Sequence, residues 1–156
     1  MKANIIKTGD VTTCDSGASW LYSDVVKDHF FNPRNILIDD VTYESDGVGI
    51  VGSPACGDMM VVWIQVNAET RRITECKWRT FGCASAIAST SMMSLMATEN
   101  GGMTLREAKR LMPEAILERL GGLPARKYHC SVLGHHALRE AVLDYEENQK
   151  KITPLL

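Results

Sequence analysis

Three thiols, an imidazole and a carboxylate stand where this sequence changes character. Cys56 and Asp58 fall in the turn-forming stretch PACGDM, Cys83 follows Gly82 in RTFGCASA, and His129 is next to Cys130 in RKYHCSVLG. A thiolate is both a soft metal ligand and a sulfur nucleophile, imidazole is a borderline donor, and a carboxylate is a hard one. Together they make a mixed set suited to an iron–sulfur unit or to Zn(II). Spacing alone leaves this open. There is no Cys-x-x-Cys pair, and separations of 27 residues from Cys56 to Cys83 and 47 from Cys83 to Cys130 match no zinc-finger pattern. Unrelated buried cysteines are the competing reading. Adjacent His129 and Cys130 are not read as a nucleophile and its base, because neighbours in sequence seldom point at one another; they read as two donors offered to one site.

Each of these residues lies at the end of a predicted element. Residues 23–31 place Val25, Val26 and Phe30 at helical spacing, and Asn32-Pro33 stops the helix. Residues 47–53, 59–66 and 71–81 are rich in β-branched and aromatic side chains, with Asn67 to Thr70 as a turn, and predict an antiparallel meander. After Gly82 comes a small-residue run, CASAIASTSMMSLMA, that suits a close-packed interior helix. Thr104 and Glu107 have capping-box spacing, and Pro113 suits the first turn of a further helix. From Cys130 a stripe of Leu133, Ala137, Ala141 and Tyr145 opposes Glu140, Asp144 and Glu147, which predicts an amphipathic last helix. Cys83 and Cys130 thus both begin helices, where free N–H groups and partial positive charge favour thiolates. Strands grouped before helices indicate an α+β fold, a small three-stranded mainly antiparallel sheet with helices packed on one face.

The 156 residues suit one globular domain, expected at 22–150, with an N-terminal tail at 1–21, flexible or covered by a partner, and a C-terminal tail at 151–156. A net charge of −2 gives no basic patch for nucleic acid or an anionic membrane. The uncharged part of residues 80–98 is too rich in Ser and Thr for a membrane span. The first twenty residues lack an export signal, so a cytoplasmic location is expected, where five cysteines stay reduced rather than forming a disulfide framework.

The stretches YSDVVKDHFFNPRN, PACGDMM, FGCASAIAS and GGLPARKYHCSVL, in this order and at these separations, resemble the IscU/NifU N-terminal family of iron–sulfur cluster assembly scaffolds over residues 22–147. The interval between Cys83 and Cys130 is similar to the IscU and NifU type, whereas the SufU type carries an insertion there. With no cluster-bearing extension after residue 150, a stand-alone IscU-like scaffold is expected.

The resemblance implies that Cys56, Cys83 and Cys130 hold a [2Fe–2S] cluster, or [4Fe–4S] in a homodimer, with Asp58 and His129 as the candidates for the non-cysteine ligand. It links Asp58 to cluster lability, which is sensible because a hard carboxylate exchanges more readily than a fourth thiolate. Cys130, expected to be exposed at its helix start and assisted by Lys127, is the expected persulfide acceptor. The partners implied are an IscS/NifS-like cysteine desulfurase, an iron donor and apo-protein acceptors, with no small-molecule turnover. The alternatives are a zinc-dependent, SufU-like sulfur-transfer protein on the same ligands and a protein with a purely structural zinc.

The chain departs from the family at Leu123-Pro124-Ala125-Arg126-Lys127, where the family's chaperone-recognition segment reads Leu-Pro-Pro-Val-Lys; this weighs against a dedicated Hsp70 partner. The strand positions Met59, Val61 and Trp63 are as apolar as Met60, Val62, Ile64 and Val66 on the opposite face, so both faces read as buried, the outer one beneath Trp20 and Leu21 of the tail or another subunit. Cys76, in phase with Trp78, reads as core, and Cys14 as a bystander. His135 and His136 read as surface or capping residues, His29 as packed against neighbours of its helix, and Met92, Met93 and Met96 as core filler.

Overall fold

The structure is a computed structural model that describes residues 11–12, 19–20, 22–53 and 57–152. Cys14, Leu21 and Cys56, together with most of the N-terminal tail, lie outside the described residues. Two short strands, β1 (Val11–Thr12) and β2 (Ser19–Trp20), pair antiparallel before the main fold begins.

Helix α1 (Asp24–Phe31) starts at Ser23, whose hydroxyl oxygen accepts the Val26 N–H at 3.1 Å and whose proton goes to the Leu120 carbonyl. Then β3 (Gly47–Ser53), β4 (Asp58–Asn67) and β5 (Arg72–Phe81) form an antiparallel sheet in that spatial order. The register aligns Gly49 with Val62 and Val62 with Trp78. Period-two alternation then puts Met60, Val62, Ile64, Cys76 and Trp78 on one face, and all five are buried. The Trp78 indole N–H donates to the Arg34 carbonyl at 2.7 Å, so the largest core side chain leaves no polar group unpaired. Residues 35–37 lie along the outer edge of β5, where Leu37 N–H donates to Trp78 and Trp78 N–H to Asn35.

Among the described residues, five helices cover the inward face. Helix α2 (Ala84–Thr98) is buried on nearly every side, as its small residues require. Helices α3 (Leu105–Arg110), with the expected capping box, and α4 (Pro113–Leu120), with proline in its first turn, follow. The last helix, α5 (Tyr128–Ile152), begins two residues before the Cys130 start read from sequence, because a 3-10 turn at Ala125–Lys127 leads into it. It lies across β3 at backbone contact distance: a Cβ on Gly49 would fall 1.9 Å from the Ala137 carbonyl oxygen and 2.6 Å from the Ala141 nitrogen. Only glycine allows this approach.

The outward face, which the sequence reading buries beneath the tail or another subunit, is open among the described residues of the single chain. Ile50 and Phe81 are each 65% exposed, Met59 is 41% exposed, and Val61 and Trp63 are only partly buried. The Trp20 side chain and Leu21, from which the cover is expected, lie outside the described residues.

Other expectations are met. Cys76 is buried, and desolvation pushes its thiol up to about 12. His29 is buried with Nδ1 2.8 Å from the Ser91 hydroxyl, which accepts the Arg34 N–H. His136 is exposed, while His135 is partly buried with Nδ1 3.2 Å from the Val132 carbonyl. Met92, Met93 and Met96 are core residues. Among the described residues no helix is long and apolar enough to cross a membrane.

Candidate metal centre

The ends of three elements meet at one edge of the sheet. Asp58 is the first residue of β4, and alternation points it to the same face as Met60 and Val62, where it is 8% exposed. Cys83 is the N-cap of α2, one residue after Gly82 turns the chain out of β5. His129 and Cys130 lie in the first turn of α5. One ligand atom from each of Asp58, His129 and Cys130 lies within 4.8 Å of the other two. Cys83 joins this group through Cys130, their sulfurs 3.4 Å apart, and Cys130 Sγ is 4.0 Å from Asp58 Oδ2. Four of the five residues singled out by sequence are therefore together. The fifth, Cys56, lies outside the described residues.

The two thiols are not equivalent. Cys83 is partly exposed, and its thiol is held down to about 5. The hydrogen bond from Cys130 is the main cause, assisted by the Ala86 N–H in the first turn of α2 and the Lys127 charge, against desolvation and Asp58. Cys130 has no accessible surface, and its thiol moves upward, because it donates to Cys83, is desolvated, and faces two negative charges. A proton shared by two close thiols produces this split. It corrects the sequence reading at Cys130, which is neither exposed nor biased toward thiolate despite its place at a helix start. Burial and the neighbouring anion outweigh a helix N-terminus. The positive charge of Lys127, in the turn before α5, acts on both sulfurs in the thiolate direction.

Two supporting residues carried no signal in the sequence. Gly82 has to be small: a Cβ there would lie 2.9 Å from the Ala86 Cβ and 3.3 Å from the Asp58 carboxyl carbon. Tyr22 is buried and its hydroxyl lies 2.8 Å from Ser85 Oγ, tying the chain before α1 to the turn that carries Cys83. The Gly82–Asp58 and Tyr22–Ser85 contacts span distant sequence, so no local pattern announces them.

Fold and site together define a class, a small α+β domain that presents a mixed sulfur, nitrogen and oxygen donor set at one sheet edge. The NifU-like N terminal domain family model matches residues 21–152, and the chain belongs to that family. It is 49% identical over 133 residues to iron-sulfur cluster assembly scaffold protein IscU 1 of Archaeoglobus fulgidus, covering 85% of this chain and 81% of that one. It is 42% identical over 134 residues to the scaffold protein IscU of Aquifex aeolicus, covering 86% and 82%. The N-terminal NifU-like protein of Brucella abortus shares the fold, with a TM-score of 0.58 at 20% identity over 80% of this chain and 94% of that structure.

Proposed function

We propose that this protein is a scaffold on which an iron–sulfur cluster is assembled and from which it is transferred to apo-proteins. The observation that carries the reading is the convergence of Asp58, Cys83, His129 and Cys130 at one edge of the fold in a chain closely related to named scaffold proteins. The cluster is cargo. Cys83 and Cys130, with Cys56 completing the thiolate set, hold it firmly, while Asp58 and His129 are the exchangeable positions that let it leave. The cluster first formed is [2Fe–2S], with [4Fe–4S] held between two copies in a homodimer. Sulfur comes from a cysteine desulfurase, and iron from a donor that delivers it to the thiolate sulfurs and the carboxylate oxygens. The compartment is the cytoplasm, where thiols stay reduced.

The donor set also accepts Zn(II) in tetrahedral geometry, so a zinc-dependent sulfur-transfer protein is the competing reading. One experiment separates the two. Metal-free protein is incubated anaerobically with ferrous iron, cysteine and a cysteine desulfurase, followed by visible absorption and Mössbauer spectra and then by apo-ferredoxin. A cluster that forms and moves to the ferredoxin supports the scaffold; tight zinc binding with no cluster refutes it.

A further inference from the structure

We propose that sulfur enters this site at Cys83 and is handed on from there to Cys130. The inference rests on the scaffold reading above and adds the order in which its thiols act. Cys130 is 0% exposed, enclosed by Cys83 at 3.4 Å and Asp58 at 4.0 Å beneath the first turn of α5. That turn is fixed. Tyr128 donates its hydroxyl proton to Glu114 Oε1 at 2.5 Å, and farther along the helix Gly49 lies against the Ala137 backbone. The sulfur donor in this chemistry is a cysteine persulfide on another protein, whose terminal sulfur has to touch the acceptor's Sγ. A macromolecule cannot make that contact with an atom that has no accessible surface. Cys83, partly exposed at the open N-cap of α2, presents the described thiol of the site that it can reach.

The steps balance. Cys83, as thiolate, attacks the terminal sulfur of the donor persulfide; a new S–S bond forms on Cys83, the donor's S–S bond breaks, and the donor leaves as thiolate. That terminal sulfur then sits about 2 Å from Cys83 Sγ, and the Cys130 sulfur is already in contact with Cys83. Cys130 attacks it, the S–S bond on Cys83 breaks, and the Cys130 proton passes to the Cys83 sulfur being released. One sulfur atom has moved twice with no oxidant or reductant consumed, and Cys83 is free to accept another.

The test uses the full-length, metal-free protein with a cysteine desulfurase and cysteine, quenched at early times with an alkylating maleimide and mapped by peptide mass spectrometry. In the wild-type chain persulfide is expected on Cys83 before Cys130. Cys130→Ser should accumulate it on Cys83, and Cys83→Ser should slow loading of Cys130 by about tenfold or more. Loading of Cys130 at the wild-type rate in Cys83→Ser overturns the relay, and so does persulfide on Cys130 ahead of Cys83 in the wild-type chain, a readout that needs no variant. Absence of sulfur from both cysteines also overturns it. Failure of the relay leaves cluster assembly by the wild-type chain intact, whereas failure of the scaffold reading shows as sulfur loading with no cluster.

Discussion

The sulfurs of Cys83 and Cys130 lie 3.4 Å apart although 47 residues separate them. One is partly exposed at the N-cap of α2; the other is buried in the first turn of α5. A shared proton and unequal burial make them different reagents, and this difference underlies how the site is expected to behave.

In the metal-free protein at neutral pH, iodoacetamide should label Cys83 much faster than Cys130 or Cys76. Cys83 is held as thiolate, whereas the other two thiols are buried and pushed upward. Peptide mapping over time checks this, and in denaturant the three rates should converge. Equal rates for Cys83 and Cys130 in the folded protein would contradict the split.

Asp58→Ala removes the hard oxygen donor beside Cys130. Once the cluster is built, its transfer to apo-ferredoxin should slow and its lifetime should lengthen several-fold, because exchange at a carboxylate is the easiest route out. Decay of the visible absorption band measures this. A shorter lifetime would remove Asp58 from the release step.

Gly49→Ala places a methyl group 1.9 Å from the Ala137 carbonyl, against backbone that cannot rotate away. Overpacking of this kind costs about 3 kcal/mol, or about 6–12 °C in Tm for a chain of this length. Because α5 carries His129 and Cys130, its displacement should also weaken metal binding by the folded variant. A Tm within a degree of wild type would show that β3 and α5 are not in contact.

Burial lowers the His29 pKa, with the Arg34 and Arg119 charges acting the same way and Asp28 opposing them. The unfolded chain takes up this proton near pH 6.5 and the folded one only at lower pH, so stability is lost as pH falls below about 6.5. His29→Asn, which keeps an acceptor for Ser91, should be less stable at pH 7 yet lose less on going to pH 5.5. For Cys76 the sign is opposite. Its folded value of about 12 means that the unfolded chain gives up the proton first, so stability falls as pH rises above about 8.5. Thermal melts across pH 5 to 10 test both, and parallel wild-type and His29→Asn curves would exclude His29 as the acid-sensitive group.

The exposed outward row of Ile50, Met59 and Phe81 makes the N-terminal tail open to test. Removing residues 1–19 should lower Tm or change the oligomer mass seen by sedimentation, since burying even part of that row is worth about 25 cal/mol per Å². If neither quantity moves, the tail does not cover the sheet and does not govern assembly.

Much of this fold is legible in the sequence because its signals are local. Alternating Met60, Val62 and Ile64, the Ser23 and Thr104 caps, the proline at the start of α4 and the small residues of α2 each act on their own backbone or nearest turn. The same logic marks Cys56, Asp58, Cys83, His129 and Cys130, since donor side chains at element ends are visible without coordinates. The tertiary structure alone settles how the described four are presented. That Cys130 is buried and Cys83 accessible depends on α5 lying against Gly47 and Gly49, and on Gly82 leaving room for Asp58. Those contacts join residues far apart in the chain. Sequence determines which groups this protein has for binding metal and sulfur; packing between distant elements determines which of them meet solvent and which share a proton, because burial and charge proximity are properties of the assembled neighbourhood and not of any residue's place in the chain.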